Sequence, residues 1–243
     1  AMGREPALRD CMDAAPLREF LLHEVDRRSR DRYGTELTLP LIVQLESARQ
    51  RLGRAAEVQA RQRAEGWVIE HVERKFELVL GAVTVSGKID RMERHAGTGA
   101  VRVIDYKTSD KGVTPLAAHV RNARRGEIAP EWARFTAGGR ELVWTDLQLP
   151  LYLEALARES VPAAGAGYFN LPKAVGETAL VSWEDYDEAW RQAARRCAEG
   201  VAAAVTAGIF WPPAEIPPRD EDDIFAGFFH QGTAASVTWR GTP

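Results

Sequence analysis

Three charged residues in the middle of the chain could do chemistry together. Residues 87–108 read GKIDRMERHAGTGAVRVIDYKT: Asp90 and Asp105 each close an apolar stretch, and Lys107 stands two places after the second. Burying an unpaired carboxylate is expensive, so buried charges are normally paired or bound to a metal. In a strand, positions i and i+2 share a face, so Asp105 and Lys107 project together with Tyr106 opposite. Asp90 lies near the end of the preceding strand, and an antiparallel turn carries it toward Asp105. Two carboxylates converging with one ammonium suit a hard cation: Mg²⁺ takes one or two carboxylates, several waters and a substrate's phosphate oxygens. A lysine there can hold or activate the attacking water and offset developing negative charge. The structural alternative is an ion pair at a partly wet strand end, with Lys107 bridging both aspartates. A bare D-x-K is common by chance and does not decide between the two.

The surrounding periodicities say which elements must hold these residues. Residues 16–32 have helical spacing, with Leu17, Phe20, Leu21, Leu22 and Val25 on one face and Pro16 in the first turn. A longer helix follows over about 40–65, with Leu41, Leu45, Ala48, Leu52, Ala55 and Ala56 on one side, and Gly66-Trp67 stops it. The period then falls to two. Strands are predicted over 68–80, 83–94 and 101–107, joined at Gly81-Ala82 and at 97–99, which reads as an antiparallel meander. The stretch 109–140 reads as loop with short helical pieces. A helix over 145–158, capped by Thr145 or Asp146, two buried strands over 165–171 and 178–183, and an amphipathic helix over 184–207 complete the pattern. From Ile209 the chain is rich in proline and aromatics, and its acidic run Asp220, Glu221, Asp222, Asp223 reads as a solvated loop. The order α-β-β-β-α-β is satisfied by one mixed central sheet flanked by helices, an α/β (α+β) architecture.

Composition excludes several classes. The 243 residues are 45% hydrophobic and 28% charged with a net charge of −3, so nothing draws the whole chain to nucleic acid. No apolar run approaches the ~20 residues of a membrane span. Cys11 and Cys197 are the only cysteines. They cannot form a disulfide framework or supply a four-cysteine iron–sulfur cluster, and they read as reduced, packed thiols of a cytoplasmic protein. Ala1-Met2-Gly3 has the look of a tag remnant and is set apart from fold reasoning.

What shifts the balance toward a metal site is a combination: Gly87-x-Ile89-Asp90-Arg91, then Ile104-Asp105-Tyr106-Lys107-Thr108 on the next strand, then Gln148-x-x-x-Tyr152 on the next helix. Over roughly residues 40–172 this assembly resembles the PD-(D/E)XK nuclease superfamily, in particular its RecB-like branch. The resemblance implies a restriction-endonuclease-like core over 67–183. A helical region over 4–66 precedes it, and a C-terminal helix and tail over 184–243 pack on the same domain. It also implies Mg²⁺- or Mn²⁺-dependent hydrolysis of a DNA phosphodiester, with Asp90 and Asp105 as ligands and Lys107 beside the nucleophile. Gln148 and Tyr152, four apart on one helical face, would abut the metal site and touch the DNA backbone. A larger repair or recombination protein with a helicase domain or subunit is the expected setting.

Active members of that branch carry a histidine in an N-terminal helix as a further ligand. His23 has no glycine four residues before it and reads as a packed or surface residue, with a ligand role as the minor alternative. Glu73 is either an accessory acid or the exposed half of an alternating strand, paired with Arg91 or Arg94 across the sheet. The basic stretch after the third strand, with Lys111, Arg121, Arg124 and Arg125, would overhang the site. Together with Arg91 and Thr108 it would supply phosphate contacts. His119 and Trp132 could contact a sugar or stack on a splayed base. Two other readings stand beside the nuclease. One is a nuclease-like module that has lost efficient catalysis and binds DNA or docks a helicase partner. The other is a Mg²⁺-dependent enzyme for small phosphorylated molecules, which the Gln148/Tyr152 helix and the basic loop disfavour.

Overall fold

The computed structural model describes residue 3 and residues 5–126, 129–161 and 163–209. The aromatic tail and the acidic run at 220–223 lie outside the described residues.

A one-turn helix α1 (Pro6–Arg9) leads into the helical pair α2 (Ala14–Tyr33) and α3 (Leu39–Ala64). The meander follows as β1 (Trp67–Leu80), β2 (Val83–His95) and β3 (Val101–Lys107), each within one residue of its predicted bounds. Gly81 and Gly99 turn the chain at φ 59° and 72°, a left-handed conformation that glycine adopts without strain. Helix α5 (Gln148–Arg158), strands β7 (Ala163–Asn170) and β8 (Ala179–Ser182) and helix α6 (Glu188–Thr206) complete the main layer. The main sheet has the order β1-β2-β3-β7-β8. β3 and β7 are parallel and the other neighbours antiparallel. Among the described residues no helix is long and apolar enough to cross a membrane.

The stretch 109–140, expected to be loop, is more ordered than that. It holds α4 (Pro115–His119), β4 (Val120–Asn122) and β5 (Arg134–Ala137); with β6 (Arg140–Trp144) they form a second antiparallel sheet, order β4-β6-β5. Strands of three to five residues are too short to show an alternating pattern, so propensity gave no signal. Aromatic packing anchors this sheet instead. Phe135 stacks on Trp144 at 4.9 Å and meets Trp190 of α6 edge-on at 4.9 Å. Trp132, expected to be available to a base, packs over Gly200 of α6, where a Cβ would lie 2.3 Å from its ring.

The sheet buries both faces. On one side Phe76, Ile89, Met92 and Val103 pack with α5, α6 and the small sheet; on the other Ile104 and Phe169 pack against Ala55 and Val58 of α3. Each such large apolar side chain contributes roughly 1.5–3 kcal/mol by leaving water. The α3 side also buries charge. Arg91 and Glu93 are 0% exposed and ion-paired. Arg102 reaches the same carboxylate at 2.7 Å, and its guanidinium lies 3.8 Å over the Trp67 ring. Gln59 and Gln62 of α3 accept from Arg91 and Arg102, each at 2.6 Å. Two arginines on one glutamate thus lock the second helix of the pair to the meander.

Candidate active site

Strand pairing explains why the acids converge. The β2–β3 ladder runs from Arg94↔Val101 to Arg91↔Ile104 and ends just before Asp90 and Asp105. Beyond that point β2 continues on β1, and β3 continues on β7 as far as Lys107↔Asn170. The sheet therefore forks, and the two aspartates sit in the crotch. Asp90 Oδ2 accepts from the Tyr106 backbone N–H at 3.2 Å, so a side chain takes the place of the missing ladder bond.

The fork coincides with an irregularity. Ile89 belongs to the core on the α5 side, yet Arg91 faces Gln59 of α3, although residues two apart should share a face. Alternation slips at Asp90. Its position falls opposite Glu73, between the pairs Val72↔Arg91 and Arg74↔Ile89, and Glu73 has φ 51°. That left-handed conformation is uncommon for a residue with a side chain, and such strain gathers at functional sites.

On β3 the regular alternation holds. Asp105, 4% exposed, receives Lys107 Nζ on Oδ2 at 2.9 Å. Lys107 Nζ also donates to Gln148 Oε1 at 2.9 Å, and Gln148 Nε2 donates to the Tyr152 hydroxyl oxygen at 3.2 Å. The ammonium lies 4.6 Å from the Tyr168 ring, which backs it from β7. Tyr152 rests edge-on against Phe76 at 5.4 Å. The structure thus brings Asp90, Asp105, Lys107, Gln148 and Tyr152 into one connected group.

Burial raises the Asp105 pKa, the Lys107 hydrogen bond opposes this, and the Asp90 carboxylate pushes it further up. Without a cation, Asp105 therefore holds a proton above the ordinary aspartate range. The sign follows: the folded state binds more protons than the unfolded one, so Asp105 withdraws stability as pH rises from that range through its raised value. Asp105→Asn is expected to remove this slope and to raise the metal-free melting midpoint at pH 7. Calorimetry from pH 4 to 8 checks it; an unchanged profile would mean that Asp105 is not strained.

Helix α5 is set in place by a residue expected to face DNA. His119 is 0% exposed. Its Nδ1 lies 2.8 Å from the Pro115 carbonyl oxygen and its Nε2 accepts from the Leu149 N–H at 3.2 Å. These partners assign a neutral ring protonated at Nδ1. His119 therefore satisfies one of the orphan N–H groups at the start of the helix that carries Gln148. Burial lowers its pKa. Below the ordinary histidine value the unfolded chain takes up a proton that the folded one refuses, so stability falls as pH drops from about 6.5 toward the lowered value. We expect a falling melting midpoint between pH 7 and pH 5 and a flatter profile in His119→Gln, which retains an acceptor.

The remaining expectations divide. Arg91 is also not a DNA contact: it is fully buried and hydrogen-bonded to Gln59, Glu93 and Tyr106. Thr108 is exposed, with its carbonyl accepting from Arg51 at 3.4 Å, and Lys111 is exposed just beyond it. Arg124 and Arg125 are exposed after β4, while Arg121 lines a different cleft of about 750 Å³ with Arg140, Glu184 and Asp185. His23 stands exposed on α2. Among the described residues no group of three or more His, Cys, Asp or Glu side chains could hold a metal. The arginines considered as partners of Glu73 are engaged elsewhere, Arg94 with Glu70 at 3.0 Å and Arg91 with Glu93. Cys197 is buried, which pushes its thiol up to about 12, and Cys11 is half-buried.

The profile of the PD-(D/E)XK nuclease superfamily matches residues 4–217. The chain belongs to that superfamily. The match extends beyond the 40–172 window of the motifs, taking in α2 and α6, and PD-(D/E)XK membership means a nuclease. No curated protein matches the chain. The five-stranded mixed sheet with helices on both faces is the restriction-endonuclease-like fold of such nucleases. In a PD-(D/E)XK protein, two converged acids, one of them with its pKa raised by burial and by the other's charge, form a donor set that a divalent cation would relieve.

Proposed function

We propose that this chain is a Mg²⁺- or Mn²⁺-dependent deoxyribonuclease of the RecB-like type, working within a larger repair or recombination protein alongside a helicase. The observation that carries this reading is the continuous contact path from Asp105 through Lys107 and Gln148 to Tyr152, with Asp90 beside it. Asp90 and Asp105 would hold the cation, with waters and phosphate oxygens completing its shell. A cation there supplies Lewis acidity toward the phosphate.

The protein's own groups do the rest. An ammonium has three N–H donors. Lys107 uses two on Asp105 and Gln148, which aims the third at a substrate oxygen or at the attacking water. Its charge offsets the negative charge that builds on the phosphate as water adds. Gln148 fixes the ammonium's direction, and Tyr152 fixes which end of the Gln148 amide faces it.

The test is degradation of linear DNA with Mg²⁺ or Mn²⁺, compared with Asp105→Ala. Metal-dependent cleavage lost in the variant supports the reading; cleavage that survives it overturns it. One observation favours a second reading, a weakly catalytic module that binds DNA or a helicase: no third metal-type side chain joins Asp90 and Asp105 among the described residues. Tight DNA binding in Ca²⁺ without cleavage in either active metal would establish it.

A further inference from the structure

On the α3 side of the fork lies a cavity of about 440 Å³ that the chemistry above does not use. Small-molecule sites typically have volumes of about 300–1,000 Å³. Leu21, Leu52, Ala55, Ile69, Val72 and Phe169 form apolar walls, and Gly3 crosses one side. The mouth is where the lining reaches solvent: Glu73 is exposed, Tyr106 is 39% exposed and Asp90 half-buried. The cavity therefore opens beside Asp90.

Its polar end offers donors. Gln59 is 2% exposed, and its Oε1 is held by Arg91, which can only donate. The amide cannot flip, so Nε2 presents its hydrogens elsewhere, and it has no protein partner. Buried donors are nearly always satisfied, and an orphan on a residue of the cavity wall calls for an acceptor from outside. The rings of Tyr106 and Phe169, 5.5 Å apart and tilted by 39°, add aromatic surface.

The geometry points to a nucleobase as the occupant: the base of the nucleotide next to the phosphate held at Asp90 and Asp105, splayed out of its stack. Carbonyl and ring-nitrogen acceptors on the base edge meet Gln59 Nε2, and the ring lies against Tyr106. This assignment rests on the nuclease reading. It gives that reading a substrate preference, because a base must leave its stack to enter, and bases in single strands or frayed ends do so most readily.

The experiment is an abasic scan. Single-stranded oligonucleotides with one abasic site at successive positions are cut by the full chain, and each bond is followed. Cleavage is expected to fall roughly tenfold when the missing base flanks the cut bond, the loss typical of one stacked base, and to be unchanged when it lies elsewhere. Leu52→Trp, which fills the cavity, is expected to bring single-strand and duplex cleavage rates close together. Ala55→Leu is a smaller filling that serves if Leu52→Trp folds poorly. A flat scan with normal cleavage overturns the pocket and leaves the nuclease reading standing. If nothing is cut, the nuclease reading fails, and 2-aminopurine fluorescence in Ca²⁺ tests the pocket alone. An emission change on wild type that Leu52→Trp abolishes supports it, and no change overturns it.

Discussion

Replacing Lys107 with alanine is expected to lower DNA cleavage by roughly 10²–10³-fold, the usual loss when one preorganised donor to a developing charge is removed. The loss should fall on kcat, because the charge that Lys107 offsets exists fully only in the transition state. Stability responds differently. The substitution leaves Asp105, 4% exposed, beside Asp90 without its ammonium, so the metal-free variant should melt below wild type and recover when Mn²⁺ is added. Gln148→Ala should have a milder effect, about tenfold, since Lys107 keeps its bond to Asp105 and loses only its aim. A Lys107→Ala protein that cuts as well as wild type would sink the assignment of the ammonium.

Glu93→Ala should have the largest effect on folding. The carboxylate is 0% exposed and pairs with both Arg91 and Arg102. Removing one partner of a buried ion pair leaves an uncompensated charge and costs about 3–5 kcal/mol. For a domain of this size that corresponds to a drop in melting midpoint of roughly 10 °C. The informative control is Glu188→Ala, which removes an exposed helix-surface pair with Arg191 and should change stability far less. Equal effects of the two substitutions, read by urea unfolding, would mean that the buried cluster is not a keystone.

How much of this was legible beforehand depended on range. The main-sheet strands were readable because β1 and β2 are 14 and 13 residues long and alternate, and because glycines mark their turns. The group Asp90, Asp105, Lys107, Gln148 and Tyr152 was readable because each motif sits at a fixed spacing on its own element. Arg91 was misjudged because its position beside Asp90 suggested the same surroundings. The slip in alternation at Asp90 turns it to the opposite side, and only the three-dimensional pairing with Glu73 reveals that slip. The same-face rule did offer one unused hint: Arg91 and Glu93 are two apart, the spacing of an ion pair along a strand. His119 and Trp132 looked like ligand contacts because their stretch lacked a strand pattern, and residues in a presumed loop are assumed to be wet. No local signal could place Gln59, Tyr168 or the cavity, since each depends on chains far apart in sequence meeting across the sheet.

His119 and Asp146 together hold the first turn of α5, His119 through the Leu149 N–H and Asp146 through the Gln148 N–H at 2.7 Å. The hairpin between β5 and β6 turns on Gly138 and Gly139, both with left-handed φ and with open space around them. It is thus a natural port for foreign sequence, where an epitope, a dye-bearing cysteine or a whole reporter module meets no neighbouring side chain.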